Sequence, residues 1–183
     1  MRARRFAGIR HHATASRRLD VVARMSFPTV TTAALLLVLA APLGLPGQAQ
    51  WQQAGALCCV FFWGLFRPAS MPPLAVFLLG VLADLLAYAP AGVTVLAWLL
   101  AYGLAMRWRR GLTRLGFLLV WFAFVAVAVG AAALEWAATS LLSFQFLPMG
   151  DALLEAGIAI GLYPLLAIGL TRAHQTIADP DHA

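Results

Sequence analysis

The chain has 183 residues, of which 62% are hydrophobic and only 11% charged, with a mean hydropathy of +0.84. Soluble domains carry about 25% charged residues, so the composition excludes an ordinary water-soluble globule and points to an all-α polytopic membrane protein. The net charge of +6 comes from thirteen arginines and no lysine, and these flank apolar runs, so the lipid bilayer is the expected partner and nucleic acid is not.

Residues 1–24 hold seven arginines and one aspartate and read as a basic, disordered cytoplasmic tail. The composition is also that of a transit peptide, but six apolar runs follow, and Met25 is an alternative start. The membrane domain is expected over residues 25–173. Met25 to Phe66 contains no charge, and 42 residues at about 1.5 Å each are far too long for one crossing of a ~30 Å core. Pro42, Gly44, Pro46 and Gly47 break the run ahead of the polar QAQWQQ, which predicts a first helix near 27–45 and a second near 51–66, with Trp51 at the interface. Arg67-Pro68 ends the second helix, and Pro72 and Pro73 suit the first turn of a third, which runs to about Tyr88. After the turn Ala89-Pro90-Ala91-Gly92, a fourth helix runs to about Met106 and meets Arg107, Arg109, Arg110 and Arg114. The fifth helix is predicted over 115–142. A loop with Pro148 and Gly150 follows, then a sixth helix over 151–171 that Pro164 should kink. Residues 174–183 form a short polar tail.

The loops after the first, third and fifth helices contain no arginine, while the tails and the other two loops contain all thirteen. The positive-inside rule then predicts six transmembrane helices with both termini cytoplasmic. Adjacent Cys58 and Cys59 would make a strained disulfide and read as small packing residues. All four histidines lie in the tails, and no lysine exists, which removes a P-loop, a Schiff-base lysine, a His-based zinc site and a Ser-His triad. No cofactor, metal or enzymatic activity is expected.

Three carboxylates fall within the apolar spans or at their edges: Asp84, Glu135 and Glu155. The predicted topology places all three toward the periplasmic side as a possible polar cluster. An Asp at a membrane-helix centre costs roughly +2.5 to +3.5 kcal/mol, so Asp84 needs an explanation. It can hold a proton. It can be satisfied locally by Tyr88 at i+4, by the free N–H groups and positive dipole end of the fourth helix, or by the Thr94 hydroxyl. It can also meet a donor from a partner helix. Glu155, beside Asp151, reads as a first-turn acid that complements the helix dipole, and Glu135 precedes Trp136. Small residues mark helix packing: Gly80 one turn before Asp84, the row Ala97, Ala101 and Ala105, and the pair Gly157 and Gly161. Packing within the bundle is the expectation for these rows ahead of a dimer face.

The spacing Gly80-xxx-Asp84, then Gly92 and the run GVTVLA from Gly92 to Ala97, resembles the rod shape-determining protein MreD family. Trp63 and Arg67-Pro68 before the third helix, the size, and Pro164 late in the sixth helix also fit, over residues 26–173. The resemblance implies a non-enzymatic inner-membrane component of the bacterial elongation machinery. Its partners would be MreC, the actin homologue MreB, the glycosyltransferase RodA and a class B penicillin-binding protein. The family in turn is similar to the six-helix substrate-binding subunits of energy-coupling-factor transporters. That supplies the alternative, a solute-binding subunit with a periplasm-facing pocket near Asp84, Glu135 and Glu155.

Overall fold

The computed structural model describes residues 15–42, 44, 46–87 and 90–178, and every regular element among them is helical. The helices are α1 (Ala15–Ala40), α2 (Gln48–Phe66), α3 (Pro73–Ala87), α4 (Val93–Leu112), α5 (Phe117–Leu142) and α6 (Gly150–Ala178), with one 3-10 turn at Pro68–Ser70. Two stretches, Phe117–Leu142 and Gly150–Arg172, are long and apolar enough to cross a membrane. Met25–Ala40 and Pro73–Ala87 are apolar but shorter.

The bundle is built around α2, which packs on α1, α4 and α6. From Ala54 to Leu65 every residue of α2 is buried. The sequence GALCCVFFWGL is apolar on all sides, and a helix with no polar face belongs inside. Two glycines let neighbours approach. A Cβ on Gly64 would lie 2.8 Å from Tyr102 Cδ2 of α4, and one on Gly55 would lie 3.2 Å from Leu35 Cδ2 of α1. Phe61 of α2 meets Phe124 of α5 at 5.2 Å and Tyr163 of α6 at 5.8 Å, and the last two rings stack at 4.2 Å. Cys58 and Cys59 are buried in this core as free thiols.

Short connections gather the ends of α1, α3 and α5 with the starts of α2, α4 and α6 at one end of the bundle, the carboxylate end. Arg67, Arg107, Arg109, Arg110, Arg114 and Arg172 belong to the opposite, arginine end. The arginine end is tied by backbone acceptors: Arg109 Nε donates to Leu65 O at 2.9 Å, and the Tyr102 hydroxyl donates to Met71 O at 2.7 Å. At the carboxylate end, Gln48 Nε2 donates to Leu39 O at 2.6 Å and also to Ala41 O, and Gln52 Nε2 donates to Leu36 O at 3.2 Å. Gln48 thus serves a carbonyl that the last turn of α1 leaves open, and Gln52 adds a second donor to one a turn earlier.

Several boundaries differ from the sequence expectation. Helix α1 begins at Ala15, so residues 15–24 continue the first helix, while residues 1–14 lie outside the described residues. ASRRLDVVAR contains no Gly or Pro to stop a helix. The same helix ends at Ala40, short of residue 45, because Pro42 disfavours helical geometry at the residue before it. Helix α4 continues to Leu112 through Arg107, Arg109 and Arg110, good helix formers at the negative end of the dipole. Helix α6 runs through residue 171 to Ala178.

Candidate functional site: a locked hairpin beside a polar cavity

Asp84, in the last turn of α3, turns its carboxylate onto the start of α4. Oδ2 accepts from the Gly92 amide at 2.6 Å and Oδ1 from the Thr94 amide at 3.1 Å. These are orphan donors at a helix N-terminus, where the dipole also favours an anion. The N-cap residue of α4 is Gly92, which has no side chain to cap with, and its φ of 94° is a left-handed conformation suited to glycine. Asp84 therefore caps α4 from the preceding helix. Thr94 contributes its backbone N–H to this cap. Tyr88 lies outside the described residues.

Gly80 completes the lock. A Cβ there would lie 2.8 Å from Val95 Cα and 3.2 Å from Val95 N, so only glycine allows α3 and α4 this close. Gly80, Asp84 and Gly92 thus do separate jobs in one joint: close approach, capping and the turn.

Glu135 and Glu155 sit beside that joint, both buried. They line a cavity of about 160 Å³ at the carboxylate end, with Thr94, Thr139, Asp151 and Trp136 also in its wall. Gln50 and Gln53 face it from α2. Thr94, whose amide donates to Asp84, lies in the same wall as Glu135 and Glu155. The structure thus brings the three carboxylates together but divides them: Asp84 is engaged by α4, while Glu135 and Glu155 open onto the cavity. Oε1 of Glu135 is buried without a hydrogen-bond partner among the described residues. Glu155 is the sixth residue of α6, past the first turn, and acts as a cavity wall. Trp136 is fixed in place because its Nε1 donates to Leu147 O at 3.0 Å.

The small-residue rows divide as well. Ala97, Ala101 and Ala105 are buried on α4, and Ala105 Cβ lies 3.5 Å from where a Gly64 Cβ would stand. Ala97 and Ala101 also line an apolar groove between α4 and α5. Gly157 and Gly161 do not pack within the bundle. A Cβ on either meets nothing within 4 Å, and both floor an outward groove between Trp51, Leu153, Leu154 and Leu165. Helix α6 presents Ala156, Ala159 and Tyr163 to the core, which turns the glycine pair away from it.

Sequence reasoning passed over Gln50, Gln53 and Thr139. The available signal was the spacing: Gln50 and Gln53 are one turn apart on α2, as are Glu135 and Thr139 on α5, so each pair shares a face. No family model, curated protein or solved structure matches the chain.

Proposed function

We propose that the chain crosses the bacterial inner membrane six times, with both termini cytoplasmic, and serves as a non-enzymatic component of the elongation machinery. In this reading it supports lateral cell-wall synthesis and rod shape together with MreC, MreB, RodA and a class B penicillin-binding protein. The observation that carries the reading is the α3–α4 joint. Gly80, Asp84 and Gly92, the spacing that opens the resemblance to the MreD family, are residues that lock this hairpin, and both carboxylate oxygens of Asp84 are held by backbone amides. An acid held in that way builds a shape and is poorly placed for proton transfer.

The membrane part rests on surface chemistry. Only 33% of the most apolar window in α5 and 28% of that in α6 is buried, so their apolar length faces outward. Leu74, Leu78 and Leu85 on α3 and Leu118, Phe122 and Leu141 on α5 are exposed too. An apolar exterior of this extent is unfavourable in water and natural in lipid. Helices α2 and α4 each carry polar residues at one end. The first starts with four glutamines and is enclosed by its neighbours, and the second ends in arginines that suit a cytoplasmic headgroup layer.

The deciding experiment is affinity purification of the full chain from its own cells, combined with depletion. Co-purification of the MreC-type protein and loss of rod shape on depletion are expected. Neither appearing at normal expression overturns the reading. A second reading, a solute-binding subunit of a transporter, is favoured by one observation, the acidic cavity at the carboxylate end. A small molecule retained through purification would support it.

A further inference from the structure

The cavity has a specific chemical character. Three carboxyl groups, Glu135, Glu155 and Asp151, line it, and among the described residues no arginine, lysine or histidine does. Glu135 is only 8% exposed, and its Oε1 has no hydrogen-bond partner among the described residues. A buried carboxyl oxygen without a donor is costly, because it has lost its hydration and gained nothing in return. The other buried acid of this end, Asp84, has its donors in α4. A carboxylate at Glu135 needs a donor there, and the surrounding acids favour a donor with positive charge, which would hold these groups ionised when it binds.

A metal ion is the weaker fit. Among the described residues, no group of three His, Cys, Asp or Glu side chains is arranged to hold one. The remaining wall suits an organic cation. Trp136 presents an indole ring anchored through its own N–H to Leu147 O, and such a ring attracts ammonium and guanidinium groups. Gln50, Gln53 and Thr139 add oxygen acceptors for further N–H donors. A volume of about 160 Å³ is well above the ~10–15 Å³ that one water needs, enough for one such headgroup.

We propose that this cavity is a binding site for a small organic cation, an ammonium or guanidinium group seated between Glu135, Glu155 and the Trp136 ring. The inference deepens the solute-binding reading by naming the ligand class, and it stands on the cavity alone. Its failure leaves the rod-complex reading intact, because MreC co-purification tests that separately.

The test uses the full chain in phosphatidylcholine nanodiscs, titrated with methylammonium chloride or methylguanidinium chloride against sodium chloride at matched ionic strength. A saturable rise of several degrees in apparent melting temperature is expected for at least one organic cation. Glu135→Gln, nearly isosteric, should weaken that response at least tenfold, and Trp136→Phe several-fold. Should Glu135→Gln fail to fold, Glu155→Gln serves in its place. The proposal is overturned if neither organic cation exceeds sodium, or if the response survives the carboxamide substitutions unchanged. The natural source of the cation is read in separate arms. Native mass spectrometry of protein extracted without added amine detects a retained small cation as a fixed mass increment. A photo-reactive residue at Gln53 captures a basic side chain of a neighbouring chain as an adduct that Glu135→Gln abolishes.

Discussion

Asp84 illustrates how far a single residue can be read in advance. Its position in an apolar run announces a cost, and the sequence leaves several partners open to it: a proton, Tyr88, the start of α4, the Thr94 hydroxyl or another chain. What selects the amides of Gly92 and Thr94 is the path of the chain at Gly92, whose φ of 94° directs the start of α4 back toward α3. That path depends on three-dimensional closure, which residue spacing alone does not fix. Replacing Asp84 by Ala leaves two donors without their acceptor and should destabilise the fold by about 1–3 kcal/mol. Asn keeps one acceptor oxygen and should cost about half as much. Thermal unfolding in detergent ranks wild type above Asn above Ala, and equal midpoints for Ala and wild type would refute the cap. Gly80 offers a sterically cleaner test. Gly80→Ala sets a Cβ 2.8 Å from the Val95 backbone and should cost about 1–3 kcal/mol, because backbone cannot rotate away as a side chain does. The control is Gly103→Ala on α4, where nothing lies within 4 Å and helix propensity favours Ala. The expected outcome is a lowered melting midpoint for the first and an unchanged or raised one for the second.

At the scale of elements, Pro164 shows a helix defect repaired from outside. Proline lacks the N–H that would reach the carbonyl four residues back, which is Ile160 O. That carbonyl accepts from Trp121 Nε1 of α5 at 3.1 Å. In an apolar setting an abandoned carbonyl is expensive, so the α5–α6 contact carries a specific polar tie in addition to its packing. A double-mutant cycle separates the two. Trp121→Phe alone should destabilise by about 1–2 kcal/mol. In a Pro164→Ala background, where the restored backbone N–H can serve Ile160 O, the same substitution should cost clearly less. Additivity of the two changes, measured by unfolding in detergent, would show that the indole N–H does not matter. The proline was legible as a defect in the sixth helix, whereas its repair needs Trp121, far earlier in the chain, and was not. The central place of α2 was also hard to read. Its apolar residues have no preferred face, and its four glutamines resemble a loop. In the structure Gln48 and Gln52 turn to carbonyls of α1, and Gln50 and Gln53 turn to the cavity. Polar residues at helical spacing can therefore serve two neighbours from one helix.

For the molecule as a whole, charge distribution remains the most informative feature of the sequence, because it concerns which end of the bundle each residue occupies and needs no contact geometry. Helix order places the arginines of the described residues from Arg67 onward at one end and Asp84, Glu135 and Glu155 toward the other. In a bacterial membrane, the arginine end should stay on the cytoplasmic side. The carboxylate end carries large exposed aromatics, Trp51, Phe144 and Phe146, which suit the opposite interface. The cavity would then open toward the periplasm, so the same orientation decides which compartment supplies its ligand. Single cysteines test this in a Cys58→Ala, Cys59→Ala background, which removes both native thiols. A membrane-impermeant maleimide should label Gly44→Cys and Ser143→Cys in intact cells and reach Arg110→Cys only after permeabilisation. Labelling of Arg110→Cys in intact cells would invert the bundle. It would place the acidic cavity against the cytoplasm and exclude a periplasmic ligand for Glu135.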